Sequence, residues 1–142
     1  MTLSLNDSEK ERLVAAIATA ETGSRGELRV HIEEECSGDP LDRARHFFGA
    51  LGMHQTRDDT GVLLYVSPGS RQVAIYAGTG IHKAAGASLW TDAVGRVASG
   101  FRDGDGLGGI EAAILIVGEA MARCAPGDDE AGNELPDEIT TS

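Results

Sequence analysis

The stretch Gly61 to Val66 constrains the fold more than any other, because Val62, Leu63, Leu64, Tyr65 and Val66 follow one another without a polar break. Alternate residues of a strand point to opposite faces, so such a run makes both faces apolar and demands cover on each. A strand buried on both sides by helices is the central layer of an α/β sandwich.

The flanking sequence supplies the helices. Ser8-Glu9-Lys10-Glu11 reads as a capping box ahead of Leu13, Val14, Ile17, Ala18 and Ala20 at helical spacing, with the helix ending near Thr22-Gly23. Asp39-Pro40 pairs an N-cap acid with a proline at the first helical position, and Leu41, Ala44, Phe48 and Leu51 share a face before Gly52 stops the helix. Two further helices are expected at about 88–101 and 108–124. Between the first two helices, Glu27 to Ile32 alternates Leu28, Val30 and Ile32 with Glu27, Arg29 and His31. One polar face suggests a strand toward the edge of the sheet. Ser67-Pro68-Gly69-Ser70 turns the central strand into a third, Arg71 to Ala77, as an antiparallel hairpin.

The expected order is therefore α-β-α-β-β-α-α, with strands one and two parallel in a right-handed βαβ unit and strand three antiparallel. At 142 residues the chain holds one domain, residues 1–125, followed by an acidic tail, 126–142. Of 23 acids, six (Asp128, Asp129, Glu130, Glu134, Asp137 and Glu138) lie in that tail, which has no base. A formal charge of −11 opposes nucleic-acid binding, which needs a basic face. The N-terminus lacks a basic and then apolar leader, and no apolar run approaches the ~20 residues of a spanning helix. The chain as given thus reads as cytoplasmic, without a membrane segment. Cys36 and Cys124 form neither a disulfide framework nor zinc-ligand spacing.

With this strand arrangement, three loops meet at one edge of the sheet: residues 21–27, 56–61 and 78–83. The first two carry carboxylates and hydroxyls, the hard oxygen ligands that Ca²⁺ or Mg²⁺ prefers, and the third carries glycine backbone. The alternative reading makes Asp58 and Asp59 solvated turn acids. A second acidic cluster, Asp103-Gly104-Asp105-Gly106, fails as an EF-hand loop because Leu107 and Ile114 stand where acids are needed. It also fails as a dinucleotide fingerprint, since it follows a helix rather than a strand. It reads as a helix connection with Asp105 near an N-cap. No nucleophile elbow, Walker A or zinc-protease motif is present, so no catalytic residue is assigned.

The ordered motifs Ser24-x-Gly26-Glu27-Leu28-Arg29-Val30-His31, Leu51-Gly52-Met53-His54-x-Thr56-x-Asp58-x-x-Gly61-Val62-Leu63-Leu64-Tyr65, Gly80-Ile81-His82 and Phe101-x-x-Gly104-Asp105 span nearly the whole chain. With Asn133 to Ile139 they resemble the TPM domain, a family named after a thylakoid-lumen protein, a photosystem II-associated protein and a nematode receptor regulator. The resemblance implies a three-layer α/β/α, Rossmann-like sandwich with a mixed sheet and no dinucleotide site. It also implies links to divalent-cation binding, acid phosphatase activity and photosystem repair. Glu27, Asp58 and Asp105 retain the family's acids; Gly78 replaces one, and Asp59 stands as its substitute. The implied metal set is Glu27, Asp58, Asp59 and Asp105. The leading expectation is a small domain that binds a divalent cation, calcium foremost, at the edge of Glu27, Asp58 and Asp59, with no other cofactor. The alternatives are a metal-assisted acid phosphatase in which Asp58 holds the cation, and an interaction module whose acidic tail docks on a basic protein partner or folds back on its own domain.

Overall fold

The computed structural model describes residues 5–55, 59–127 and 139–142. Helix α1, Asp7–Glu21, begins at an Asn6 cap whose side chain accepts the Glu9 N–H at 2.8 Å, while the Glu9 carboxylate accepts the Asn6 N–H at 3.1 Å. The capping box is thus two residues earlier than Ser8–Glu11, because Asn6 takes the capping role with equal competence. Strand β1, Glu27–Ile32, leads to α2, Pro40–Ala50, where Asp39 caps the Leu41 and Asp42 N–H groups ahead of the proline. A single 3₁₀ turn at Met53–Gln55 precedes β2, Gly61–Ser67, and the hairpin to β3, Gln72–Ala77. A four-residue helix α3, His82–Ala85, then opens into α4, Ala87–Arg102, and α5, Gly106–Cys124.

The sheet has four strands in the order β3-β2-β1-β4, where β4 is Ile139–Thr141. β1 and β2 are parallel in register from Glu27 opposite Gly61 to Ile32 opposite Val66, and β2 and β3 are antiparallel. β4 adds in parallel to β1, with Val30 opposite Ile139. The expected edge position of β1 is therefore corrected: it is interior, and every one of its six residues is buried. Residues 139–142 of the tail return to the sheet, as in the expectation that the tail folds back on its own domain. Three residues with one aliphatic side chain carry too little alternation to announce a strand; the open edge of β1 recruits them through backbone pairing.

Helices α1, α4 and α5 cover one face. Leu13, Ile17, Val97, Ile110, Ile114 and Val117 pack there with Leu28, Val30, Val62 and Leu64, all essentially without exposure. α1 and α5 cross closely because Gly118 has no side chain: a Cβ there would lie 2.8 Å from that of Ala20. On the other face α2 and the 3₁₀ turn set Ala44, Phe48 and Met53 against Leu63 and Tyr65. This is the three-layer α/β sandwich with a mixed sheet. Among the described residues no helix is long and apolar enough to cross a membrane.

Candidate functional site

The amino end of β1 is where the expected loops converge. Residues 23–27 are knitted to the C-terminus of α5. Ser24 Oγ lies 2.9 and 2.8 Å from the carbonyls of Met121 and Ala125 and accepts the Gly26 N–H, and the Arg25 N–H donates to Ala125. The Glu21 carboxylate accepts the Leu28 N–H at 2.8 Å, closing the turn into the strand. The second loop joins the first through the Glu27 N–H, which donates to the Thr60 carbonyl, and through the Thr60 hydroxyl, which donates to Arg25. The third joins the second through Gly78 N–H to Gly61 carbonyl and Gly80 N–H to Asp59 carbonyl.

Two of the expected ligands are described at this edge. Glu27 is 1% exposed. Asp59 has φ of +53°, a left-handed backbone that a short polar side chain tolerates better than most. Its Oδ2 accepts both the N–H and the hydroxyl of Thr79, at 2.9 and 2.6 Å. Its Oδ1 lies against Gly78, where a Cβ would come within 2.6 Å of it and within 2.1 Å of the Asp59 carbonyl oxygen. In this conformation the Asp59 carbonyl and carboxylate leave no room for a side chain at residue 78. Asp58 lies outside the described residues. Asp105 is at the far end of the molecule, capping α5 by accepting the Gly108 N–H at 2.9 Å. The 19 residues of α5 put about 28 Å between its cap and the last turn that meets Ser24. Asp105 therefore does not join Glu27 and Asp59. Among the described residues no cluster of three His, Cys, Asp or Glu side chains forms.

A second polar constellation was not anticipated. His31, on β1, and Glu33, just beyond its end, are 3% and 9% exposed and lie between α2, β2 and β4. Arg43 of α2 grips Glu33 with two hydrogen bonds, 3.0 and 2.7 Å, and the Tyr65 hydroxyl donates to the same carboxylate at 2.6 Å. His31 stacks on Phe47 with ring centroids 3.8 Å apart. Its Nδ1 is 2.7 Å from the Thr140 hydroxyl and its Nε2 is 2.8 Å from that of Ser142. Ser142 in turn donates to Glu33 at 3.0 Å, so it accepts from Nε2–H, while the Thr140 hydroxyl lies between Nδ1 and the Val30 carbonyl, 3.4 Å away. Burial lowers the His31 pKa to about 4 despite the nearby Glu33 charge. The Arg43 hydrogen bonds outweigh burial and hold Glu33 down at about 2. Burial, reinforced by Glu33, pushes the Tyr65 phenol up. This network fastens β4 and α2 to β1. The signal was present in the sequence as Glu27, Arg29, His31 and Glu33 at every second position: on an interior strand such a row needs partners.

The model of the TPM domain matches residues 2–120. In solved structures the chain is similar to the BA42 protein of the psychrophilic bacterium Bizionia argentinensis, at 30% identity and a TM-score of 0.88 over 100% of this chain and 98% of that one. The N-terminal domain of the cg2496 protein of Corynebacterium glutamicum shares the fold at 17% identity and a TM-score of 0.67, covering 88% of this chain and 79% of that one. The N-terminal domain of a P. gingivalis protein does so at 19% and 0.69, over 82% and 75%. No curated protein matches. A family match across most of the length, with the mixed sheet and loop convergence already described, establishes that the chain belongs to the TPM domain family.

Proposed function

We propose that the chain is a divalent-cation-binding TPM domain whose ligands come from the loops at the amino end of β1. The observation that carries this reading is the packing of Asp59 over Gly78, which fixes a carboxylate at the edge where the three loops meet and where Glu27 opens β1. Both hydrogen bonds from Thr79 go to Oδ2, so Oδ1 suits a hard cation. Glu27, Asp59 and Asp58 would hold the ion, with backbone carbonyls and water completing the six to eight oxygens calcium takes. Asp105 is left out of this set on distance.

The test is titration of Ca²⁺ and Mg²⁺ into metal-free ¹⁵N-labelled protein near neutral pH. Saturable amide shifts at 21–27, 56–61 and 78–82, weakened roughly tenfold or more in Asp59→Asn, are expected, because affinity follows ligand charge. Shifts confined to 103–109, or none up to millimolar metal, overturn the reading. Turnover of a generic phosphomonoester in the same samples, abolished by Asp58→Asn, would favour the metal-assisted phosphatase.

One observation favours the tail as an element of the fold. The six tail acids lie in sequence between two anchored stretches: Arg25 and Gly23 hold residues 125–127, and β1 holds 139–142. Deletion of 126–142 is expected to lower the melting temperature, whereas an unchanged value would leave the tail available to a basic partner.

A further inference from the structure

At the opposite end of the sheet from the loops at the amino end of β1, the β2–β3 hairpin and the C-terminus of α4 line an open cleft of about 390 Å³. Its position, beyond the carboxyl end of β2, is one where open α/β sheets often take ligands. Its size is within the range of small-molecule sites, and at ~30 Å³ per water-sized group it admits roughly ten to thirteen non-hydrogen atoms. Val66, Val73, Ala98 and Phe101 make an apolar lining. The charged residues that line it are Arg71 and Arg102; no described lining residue is an acid, in a chain where acids outnumber Lys and Arg 23 to 12.

Arg71 supplies an independent indication. It ends the Pro68–Arg71 turn, donating its N–H to the Pro68 carbonyl at 3.2 Å, with φ of +55°. A hairpin that needs a left-handed residue at this point is served without strain by glycine. An arginine there keeps a cation at the cleft at the expense of backbone strain, and such strain concentrates at functional sites.

We propose that this cleft binds a small amphipathic anion: an apolar body of roughly six to ten carbons ending in a carboxylate or a comparable monoanionic group. The apolar wall takes the body, and the guanidinium groups of Arg71 and Arg102 pair with the anion. The site is independent of the loops at the amino end of β1, so either reading can fail without the other.

Octanoate is the probe, titrated into the ¹⁵N-labelled full chain at constant ionic strength, with 1-octanol as its neutral counterpart. Saturable shifts at 66–73 and 98–102 are expected, with half-saturation below roughly 1 mM. Arg71→Gly is the informative variant. It relieves the left-handed strain, so its melting temperature holds or rises while octanoate affinity falls roughly fivefold or more; Arg102→Gln weakens binding similarly. Octanol is expected to bind at least roughly fivefold more weakly than octanoate. Absence of saturable shifts, shifts centred elsewhere, equal affinity for octanol, or unchanged affinity in both arginine variants would each overturn the proposal.

Discussion

On one face of β1, Leu28, Val30 and Ile32 meet three helices; on the other, Glu27, Arg29 and His31, continued by Glu33, are shut from water to the same degree. The apolar face is held by contact area, which accepts many neighbours and asks little of their geometry. The polar face is held at its carboxyl end by directed bonds, where each donor needs its own acceptor and Arg43, Tyr65, Thr140 and Ser142 must all be in place. Equal burial thus conceals two kinds of stability. The first should be nearly indifferent to pH; the second should not be.

Truncation on the apolar face sets the scale. Ile114→Ala removes most of a fully buried side chain and is expected to cost about 3 kcal/mol in urea unfolding, with a similar loss at pH 7 and pH 5.5. A loss that changed markedly over this interval would break the division between the faces. Glu33→Gln keeps the shape but removes the charge that Arg43 and Tyr65 address, and about 2 kcal/mol is expected at pH 7. Near-wild-type stability would mean that Arg43 finds water instead.

A smaller effect is the most specific. His31 resists protonation in the fold, with a pKa of about 4 against 6.5 in the unfolded chain, so the unfolded state binds the extra proton as pH falls. Its contribution is intact above about pH 6.5 and is lost as pH descends toward 4, amounting to a destabilisation on the order of 1 kcal/mol by pH 5.5. Glu33 acts in a lower window: its depressed pKa gives stability that is present above about 4.5 and fades as pH approaches 2. His31→Gln should therefore flatten the stability profile between pH 6.5 and 4.5. An unchanged slope in this variant would place the pH sensitivity elsewhere.

These differences also mark what could be read from the sequence. The unbroken run of β2, the Asp39-Pro40 start of α2 and the period of α5 are local patterns, each dictated by neighbours within a few residues, and each appears close to its expected bounds. The parallel pairing of β1 with β2 followed from the helix between them. Misreading β1 as lying toward an edge arose from equating polar with exposed; what buries His31 is a strand more than a hundred residues away. The loop convergence was legible from strand direction alone, and Glu27 and Asp59 lie within it. The remoteness of Asp105 was not legible, because the length of the expected helix follows from its residue count but the contact of its last turn with Ser24, which sets the far end at Asp105, does not. Nor was the contact between Asp59 and Gly78, which depends on a left-handed backbone at one residue.

The pairing of β4 with β1 has a consequence for how the chain is made. His31 and Thr140 are 109 residues apart, and at roughly 5–20 residues per second of synthesis the strand that closes the sheet is made some 5–20 s after the strand it covers. Through that interval the amide and carbonyl groups along one side of β1, and the imidazole beside them, lack the partner they have in the finished fold. The nascent domain therefore presents an open, pairing-competent edge to whatever is nearby, and its last residues act as the latch that withdraws it from other chains.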